Sequence, residues 1–361
     1  MNLFYHNYLI ICFINASQSL ISNISKYLFS QILNVCLNYI CILMKVTEHI
    51  KKGNGKTLFS FEILPPIKGK SIDSIFKILD PLMEFKPSFI NVTYHRSEQI
   101  YRKKSDGSFE RVEIRKRPGT VGICAALMNH YKVDAVPHLI CGGFSNDETE
   151  NALIDLNFLG INNVLALRGD PPKNEKFYTP HHSGHHYAID LVKQIKNLNR
   201  GIYLESEISE GVKTDFCIGV AGYPEKHYES PNPDMDIMYL KNKIDAGASY
   251  ITTQMFFDNK KYHQYVKCCH DAQIEVPIIP GLKPISSKQQ LSTIPSVFHV
   301  DIPSDLAIEM MKSKNEKDTE QIGEEWLLMQ VKDLIKSGVP VIHFYTLGKP
   351  NMVYNVMKKV L

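Results

Sequence analysis

At 361 residues the chain is long enough to bury one large α/β barrel or two smaller domains. Its formal net charge of +3 and its ordinary share of charged residues do not indicate nucleic acid or any other polyanionic partner. None of the eight cysteines belongs to a C-x-x-C pair. We therefore expect a reduced, cytoplasmic protein rather than a secreted disulfide framework.

The first 43 residues differ from the rest of the chain. Lys26 is the only formally charged side chain before Lys45, and an uncharged run of 18 residues, Tyr27 to Met44, is just long enough to span a bilayer. Four polar side chains interrupt that run: Ser30, Gln31, Asn34 and Asn38. We expect Met44 to be the true start, with residues 1–43 an upstream extension or a disordered segment. Residues 44–361 would then form a single catalytic domain, and a membrane anchor is the less favoured alternative.

From Lys56 onward, short apolar runs alternate with amphipathic helical stretches. The runs are TLFSFEI, FINVTY, AVPHLIC, NVLALRG, FCIGVAGY, YITTQMFF, EVPIIPGL and VIHFYTLG. Nearly continuous apolar runs are typical of parallel strands buried on both faces. Gly160 and Gly247 fall where helix C-caps are expected. Eight such units predict a (β/α)8 barrel, and a doubly wound sheet is the alternative fold.

Two irregular segments interrupt the repeat. The charged stretch between Tyr94 and Gly119 is predicted to be a solvated loop or a hairpin. The stretch between Pro284 and Val341 is longer than one helix needs, so we expect extra helices before the last strand.

Every predicted strand carries a polar group at or near its C-terminal end, where barrels of this kind place their chemistry. In chain order these groups are Glu62, Thr93-Tyr94-His95, His138, Arg168-Gly169-Asp170, Tyr223-Pro224-Glu225 with His227, Gln254, Lys283-Pro284 and Tyr345-Thr346. A structural protein has no need of such a rim, and we therefore predict a large polar site.

Glu62 is the most informative of these residues, because a carboxylate in an apolar strand costs several kcal/mol unless it is paired or protonated. Glu62 and Asp170 are therefore candidates for perturbed, working carboxyl groups. Simpler roles remain open for the others. His138 could be a core histidine with satisfied hydrogen bonds, Gln254 could cap a loop, and Arg168 could pair with a carboxylate or bind a phosphate.

Three other patterns do not support a site. GNGKT, Gly53 to Thr57, lacks the upstream glycine of a phosphate loop, because Ile50 stands there. HHSGHH, His181 to His186, lies in a Gly/Ser/Pro-flanked stretch, so we expect a surface loop and no structural metal site. No G-x-G-x-x-G follows a strand, which excludes a Rossmann-type dinucleotide site.

The chain from about Lys56 to its C-terminus resembles the methylenetetrahydrofolate reductases of the bacterial catalytic-domain type. The resemblance is carried by FSFEILPP, INVTYH, VPHLIC, VLALRGDPP, VAGYPEKH, KNKIDAGASYITTQMFFD, IIPGLKP and HFYTL, in order and spacing. It implies a (β/α)8 barrel that binds FAD non-covalently. It also implies reduction of 5,10-methylenetetrahydrofolate to 5-methyltetrahydrofolate with electrons from NADH or NADPH, and a homo-oligomer.

The resemblance also implies roles for individual residues. Glu62 matches the family's general acid. Asp170 matches the aspartate that lies near the flavin and holds the pterin, and Gln254 matches the glutamine that contacts folate. Gln290 matches a second substrate contact. The positions that match FAD contacts, or lie near them, are Thr93, Tyr94, His138, Arg168, Gly169, Tyr187, Ala188, Tyr223, His227, Asp236 and Lys243.

The chain departs from the family pattern at two positions. Lys349 replaces an arginine near the folate tail, which keeps the charge but loses bidentate geometry. Ile294 corresponds roughly to an aromatic that stacks on nicotinamide in some members. Two other hypotheses remain: a pterin-binding barrel methyltransferase that lacks flavin, and a membrane-tethered or non-catalytic folate-binding relative.

Overall fold

The computed structural model describes residues 43–171, 175, 177–346 and 350–361. The chain divides into two units, residues 1–43 and 44–361. The second unit is described below, because almost all of the first, including the uncharged run up to residue 42, lies outside the described residues. No helix in the described ranges is both long and apolar enough to cross a bilayer.

Ten strands form in the described residues: β1 (Leu58–Ile63), β2 (Phe89–Val92), β3 (Glu98–Lys103), β4 (Phe109–Ile114), β5 (Asp134–Ile140), β6 (Asn163–Leu167), β7 (Cys217–Gly222), β8 (Tyr250–Met255), β9 (Ile278–Leu282) and β10 (Val341–Tyr345). The same residues form eleven helices: α1 (Val46–Gly53), α2 (Asp73–Met83), α3 (Thr120–Tyr131), α4 (Asn146–Phe158), α5 (Ala188–Leu198), α6 (Pro233–Asp245), α7 (Asn259–Asp271), α8 (Gln290–Phe298), α9 (Ser304–Lys312), α10 (Glu316–Lys336) and α11 (Pro350–Val360).

Eight of the strands close into a parallel barrel in the order β1-β10-β9-β8-β7-β6-β5-β2. The predicted (β/α)8 barrel is therefore confirmed, and the doubly wound sheet, which would be open, is excluded. Strands β3 and β4 pair antiparallel as a separate hairpin between β2 and α3, in the segment predicted to be a loop or hairpin. Helices α8, α9 and α10 precede β10, as the length of that segment predicted.

Alternation along each strand divides the core into two layers. On β1, Phe59 and Phe61 are buried in the cluster that also contains the α2 residues Ile75 and Leu79, so they face the helices. A second buried cluster collects one apolar residue from seven of the eight barrel strands, together with Val46. Its strand members are Phe89, Val136, Leu165, Cys217, Tyr250, Ile279 and Val341. They fill the barrel interior at its N-terminal end, whereas the interior positions two residues further along β1, β2, β5 and β10 are polar.

Both glycines predicted to end helices do so. Gly160 follows α4 with φ 73° and Gly247 follows α6 with φ 120°. The amide of Ile161 donates to Leu156 O at 2.9 Å, and the amide of Ala248 donates to Lys243 O at 3.2 Å. These bonds satisfy carbonyls at the helix ends, and the left-handed glycine makes the turn possible.

Helix α1 closes the N-terminal end of the barrel. The Met44 amide donates to both oxygens of Asp134 at 3.2 and 3.1 Å, and His49 Nε2 lies 2.7 Å from Asp134 Oδ2. Asn163 Oδ1 accepts from the Val46 amide at 2.8 Å, and its Nδ2 donates to Met44 O at 2.9 Å. Two buried polar residues at the starts of β5 and β6 thus anchor the segment that delivers Val46 into the barrel.

We expect Asp134→Ala to lower the free energy of unfolding by about 2–4 kcal/mol, because two partly buried donors, the Met44 amide and His49 Nε2, lose their acceptor. Urea unfolding followed by circular dichroism measures the change. The matched control is Asp215→Ala, which removes the ion pair between Lys45 and a side chain that is 79% exposed. The control should cost less than about 1 kcal/mol. Equal losses in the two variants would contradict the assigned anchor.

Candidate active site

Glu62 lies near the end of β1 with its carboxyl group inside the barrel, 5% exposed. Its Oε2 atom is 3.4 Å from His138 Nε2 and 3.5 Å from His343 Nε2. Thr346 Oγ1 donates to the Glu62 carbonyl at 2.6 Å, which fixes the backbone of the strand end to the segment after β10. The carboxyl is therefore held between two imidazoles from β5 and β10, on opposite sides of β1.

Each of the two imidazoles also contacts a polar side chain inside the barrel. Ser60 Oγ lies 2.8 Å from His343 Nδ1, and Asn91 Nδ2 lies 3.3 Å from His138 Nε2. Burial lowers the pKa of His138 to about 4, so this imidazole is neutral at physiological pH. Asn91 Oδ1 is buried and has no hydrogen-bond partner among the described residues. An unpaired buried acceptor costs roughly 1–3 kcal/mol, a sign that the amide is kept for a reason other than stability.

Two further groups face Glu62 from the rim. Burial, with a contribution from the Glu62 carboxyl, raises the pKa of Tyr345, whose hydroxyl donates to Thr253 O at 2.6 Å. Burial and the nearby Arg117 guanidinium lower the pKa of His95. Both side chains are therefore uncharged at neutral pH. Asp170, exposed in the segment after β6, is near enough to His95 to oppose that shift.

Two cationic side chains, Arg168 and Lys243, lie at another part of the rim, near the ends of β6 and β7. Arg168 forms a bidentate ion pair with Glu229, and the bond from Arg168 NH2 to Glu229 Oε1 is 3.0 Å. The Tyr178 ring lies 4.9 Å from the guanidinium carbon, and Tyr228 Oη donates to Glu229 at 2.8 Å. Donation from Arg168 lowers the pKa of Glu229. The guanidinium is thus oriented by a carboxylate and an aromatic face, and its planar fork suits a phosphate or carboxylate group.

Lys243 of α6 is the other cation of this region. Its Nζ donates to Ala221 O at 2.9 Å near the end of β7, and no described carboxylate forms an ion pair with it. Burial lowers its pKa to about 8, only partly offset by Asp236. Asp236 instead accepts a bond of 2.6 Å from Ser230 Oγ. A partly buried ammonium of this kind is available to an anionic ligand.

The Tyr223 and His227 rings, in the segment after β7, lie 4.8 Å apart. Burial raises the pKa of Tyr223, with Asp170 and Asp236 adding to the shift. Burial and Arg168 lower the pKa of His227. The charges that act on these two rings show which residues lie close to one another at the rim: Asp170, Arg168, Tyr223, His227 and Asp236.

The remaining predicted site residues lie in the segments that follow β2 and β6 and at the start of α5. Thr93 bonds to the Ile63 carbonyl through its amide at 3.1 Å and its hydroxyl at 3.3 Å, next to Glu62. The Tyr94 ring packs edge-on against Phe144 at 5.1 Å. Tyr187, 62% exposed, caps α5, and Ala188 begins that helix. Gly169 has φ 84°.

The three predicted substrate contacts are less closely connected to Glu62. Gln254 Oε1 accepts from the Met255 amide at 3.0 Å, and Gln290 Oε1 accepts from the Ser286 amide at 2.7 Å. Both amides thus cap local backbone, the simpler role considered for Gln254. Ile294 is 3% exposed within an apolar cluster, so it packs in the core. Lys349 lies outside the described residues.

Sequence patterns did not single out Ser60, Asn91, His343, Tyr178 or Glu229. For the first three a signal existed, since each lies two residues before a rim residue and therefore shares its face of the strand. Within the described ranges, no group of three or more His, Cys, Asp and Glu side chains gathers to hold a metal. In the predicted surface loop, His185 Nε2 lies 2.5 Å from Gln194 Oε1.

A closed (β/α)8 barrel with a buried carboxyl and a cationic rim at the C-terminal ends of its strands defines a barrel of the enzyme type. The family model for methylenetetrahydrofolate reductase matches residues 45–360. The 5,10-methylenetetrahydrofolate reductase of Salmonella typhimurium is 30% identical over 313 residues, which cover 86% of this chain and 93% of the relative. The chain therefore belongs to the methylenetetrahydrofolate reductase family.

Other relatives are longer. Methylenetetrahydrofolate reductase (NADH) 1 of Arabidopsis thaliana is 31% identical over 318 residues, covering 84% of this chain and 49% of the relative. The chain thus spans about half the length of the plant relatives it matches. A solved structure of a Clostridium thermocellum protein, described as binding 5-methyl-5,6,7,8-tetrahydrofolic acid, superimposes with a TM-score of 0.52. It covers 86% of this chain and 98% of that protein, and at 14% identity it shows the fold alone.

We expect Lys243→Met to raise the free energy of unfolding of the ligand-free protein by about 1–3 kcal/mol at neutral pH. The folded pKa of about 8 lies below the ordinary lysine value, so the unfolded chain binds this proton more tightly. The penalty is complete below the folded pKa and disappears as the pH rises towards about 10.4. Urea unfolding across this range measures the difference between variant and wild type.

Lys241→Met is the matched control, because Lys241 lies on the same helix and is paired with Asp245 on the surface. It should change stability by less than about 0.5 kcal/mol at any of these pH values. A stability gain of Lys243→Met that persists undiminished at the highest pH would contradict the buried-ammonium explanation.

Proposed function

We propose that the protein reduces 5,10-methylenetetrahydrofolate to 5-methyltetrahydrofolate with FAD as a non-covalent cofactor and NADH or NADPH as electron donor. The observation that carries this proposal is the Glu62 carboxyl, buried between two imidazoles at the rim of a barrel that matches the family over residues 45–360. A carboxyl in such an environment suits the one proton transfer that the reaction needs.

The cationic rim supports FAD as the cofactor. Lys243 offers a partly buried ammonium that no described carboxylate pairs with, and Arg168 offers an oriented guanidinium. Together they provide the donors that a pyrophosphate requires. His227, Asp236 and Tyr223 would supply hydrogen bonds in the same neighbourhood, and Thr93, Tyr94, His138, Gly169, Tyr187 and Ala188 would line the rest of the cofactor site. Bound and reduced, the flavin would supply a hydride to the methylene carbon of the substrate.

Glu62 would perform the acid step. The five-membered ring of the substrate opens when the bond between the methylene carbon and N10 breaks, and N10 must then gain a proton. Glu62 Oε2 would give that proton to N10, leaving an iminium at N5 whose carbon accepts the hydride to become the methyl group. One proton and one hydride are thus added, and the Glu62 carboxylate must recover its proton from the rim before the next turnover.

Three side chains near Glu62 carry no charge. His138 is neutral at physiological pH, and His95 and Tyr345 are uncharged, so none of the three offers a positive charge that would stabilise the carboxylate. Asp170, in the segment after β6, would accept hydrogen bonds from the pterin. Gln254, and further out Gln290 and Lys349, would contact the rest of the folate.

The electron donor is open between two nucleotides. The Arabidopsis thaliana relative is named for NADH, and a Caenorhabditis elegans relative that is 27% identical is named for NADPH. Ile294 lies in the core rather than at the rim, so it would not replace a stacking aromatic. We therefore propose that both nucleotides be tested against the same preparation.

The first experiment records the visible spectrum of the purified protein without oxygen. We expect a yellow protein that bleaches with NADH or NADPH and regains its colour when methylenetetrahydrofolate is added. A protein that bleaches only with dithionite but still reoxidises with the folate would indicate another electron donor. A colourless protein that does not take up added FAD would contradict the proposal and favour a flavin-free pterin-binding methyltransferase.

The second experiment tests the acid. We expect Glu62→Gln to lower the rate of flavin reoxidation by methylenetetrahydrofolate by about 10²–10⁴-fold, because the amide cannot give up a proton to N10. Stopped-flow absorbance measures this half-reaction. Bleaching by the nucleotide, which needs no acid, is the internal control and should remain within about threefold of the wild type. Reoxidation at the wild-type rate would show that Glu62 is not the acid.

A further inference from the structure

The β3–β4 hairpin has no role in the proposed function. Residues 96–117, which include it, contain eight Lys and Arg side chains but only four Asp and Glu side chains, an excess of positive charge next to the rim. The base of the hairpin is anchored to the segment after β1. The Lys68 amide donates to Lys116 O at 2.8 Å, and Arg117 donates to the Pro65 carbonyl. The segment that leads from β2 into the hairpin is therefore held at the rim.

Arg96 lies in that segment, and its side chain reaches the residues that follow β5. A Cβ atom placed on Gly142 would lie 3.5 Å from Arg96 Nη1, 3.4 Å from Tyr178 Cε2 and 3.8 Å from Arg168 O. The Gly142 amide donates to Arg168 O at 3.2 Å, which continues the pairing of β5 with β6. The Arg96 guanidinium, the Tyr178 ring and the backbone of Arg168 thus converge on one glycine.

Tyr178 is fixed beside both guanidinium groups. Its hydroxyl donates to His185 O at 3.0 Å, and its ring lies 4.9 Å from the guanidinium carbon of Arg168. Burial raises the pKa of Tyr178 to about 12, and the positive charges of Arg168 and Arg96 oppose that shift. The two guanidinium groups therefore share one aromatic neighbour at the ends of two adjacent strands.

The two arginines differ in how their charge is compensated. Glu229 accepts two bonds from Arg168. Arg96 is partly buried, and among the described residues no carboxylate forms an ion pair with it. The residues outside the described ranges contain no Asp or Glu, so none of them can supply that carboxylate. Arg96 thus brings an uncompensated guanidinium next to a second cation, an arrangement that an anionic ligand would stabilise.

We propose that Arg96 forms, together with Arg168 and Lys243, one binding site for the diphosphate group of a dinucleotide. The strands at whose ends these side chains meet, β5, β6 and β7, are neighbours in the barrel, and Lys243 reaches the last of them at Ala221 O. Arg96 and Lys243 flank Arg168 in this order, so each can face one phosphate while the Arg168 fork orients the group between them. The hairpin then has the role of holding Arg96 at the site.

Two kinds of dinucleotide can supply this group. FAD is the one that the proposed function assigns to Arg168 and Lys243, and the inference rests on that function for this choice. NADH and NADPH carry the same diphosphate group. The simpler alternative is that Arg96 is an ordinary solvated cation, as Arg102 is on the exposed part of β3.

The test compares Arg96→Met, Arg96→Lys and the control Arg102→Met in the full-length protein. After dialysis has removed the flavin and circular dichroism has confirmed the fold, calorimetric titration measures the binding of FAD, ADP and riboflavin. Riboflavin has the isoalloxazine ring but no phosphate, so it reports whether the rest of the site is intact. In the FAD-loaded protein, the NADH concentration that half-saturates flavin bleaching is measured as well.

We expect Arg96→Met to weaken the binding of FAD and ADP by about 10–100-fold, because charge-assisted hydrogen bonds are lost. Riboflavin binding should not change, and Arg102→Met should leave all three affinities as they are. Arg96→Lys keeps the charge without the planar fork and should lose about 3–10-fold, so it carries the test if Arg96→Met fails to fold. Weaker ADP binding with unchanged FAD affinity and a raised half-saturating NADH concentration would identify the nicotinamide nucleotide as the source of the diphosphate.

Unchanged binding of FAD, ADP and NADH in Arg96→Met would overturn the proposal. An equal loss for riboflavin and FAD would also overturn it, since it would indicate a purely structural role, and so would an equal loss in Arg102→Met. The ADP titration needs neither flavin nor folate. If Arg96→Met loses ADP binding in a protein that takes up no FAD and does not reduce methylenetetrahydrofolate, the proposed function is wrong and the diphosphate site stands. If flavin and folate react as proposed and Arg96→Met binds every ligand normally, only the diphosphate site is wrong.

Discussion

Burying one carboxyl inside a closed barrel is the constraint that the polar interior depends on. A carboxylate in a medium of low polarity costs several kcal/mol unless a cation or a set of donors compensates it. Around Glu62 the described residues provide two imidazoles and no guanidinium or ammonium ion pair. One of these imidazoles is held neutral by burial. A buried carboxyl group with these neighbours suits the acid role that we propose for Glu62.

The barrel makes that arrangement possible through its register. Glu62 pairs with Asn91 on one side and with Tyr345 on the other, and Ser60 pairs with His343 one layer below. Side chains that are far apart in the sequence therefore meet in the same layer of the barrel interior. The apolar layer beneath, sealed by Val46 of α1, excludes water from the N-terminal end. Because this layer is apolar and buried, the described residues leave the carboxyl group open to solvent from the rim rather than from the N-terminal end.

Much of the fold could be predicted from local patterns, because buried parallel strands are nearly continuous apolar runs and each was long enough to recognise. The hairpin of β3 and β4 and the three helices before β10 also followed from segment composition and length. The polar contacts around Glu62 could not be predicted in the same way. Glu62 and His343 are 281 residues apart, and they meet because β1 pairs with β10 to close the barrel. A serine or an asparagine within an apolar strand gives no local sign of such a partner.

The contacts of the two cations at the rim, Arg168 and Lys243, could not be predicted from the sequence either. Arg168 was predicted either to pair with a carboxylate or to bind a phosphate; the structure shows the pair with Glu229, and phosphate binding stays a prediction. Glu229 accepts two bonds from the guanidinium and the Tyr178 ring covers its face, so the side chain is oriented, and within the described ranges no other side chain accepts from it. Lys243, by contrast, carries a partly buried charge that, among the described residues, the Ala221 carbonyl and the Asp236 carboxylate stabilise.

The two cations therefore differ in what a bound anion would gain from them. Binding near Arg168 adds hydrogen bonds to a charge already compensated by Glu229, which favours orientation over affinity. Binding near Lys243 relieves a desolvation penalty that the folded protein carries alone, so part of the binding free energy is stored in the ligand-free structure. A ligand with two adjacent negative groups would interact with both side chains. The rim differs from an ordinary charged surface because it combines an oriented guanidinium, Arg168, with a desolvated ammonium, Lys243.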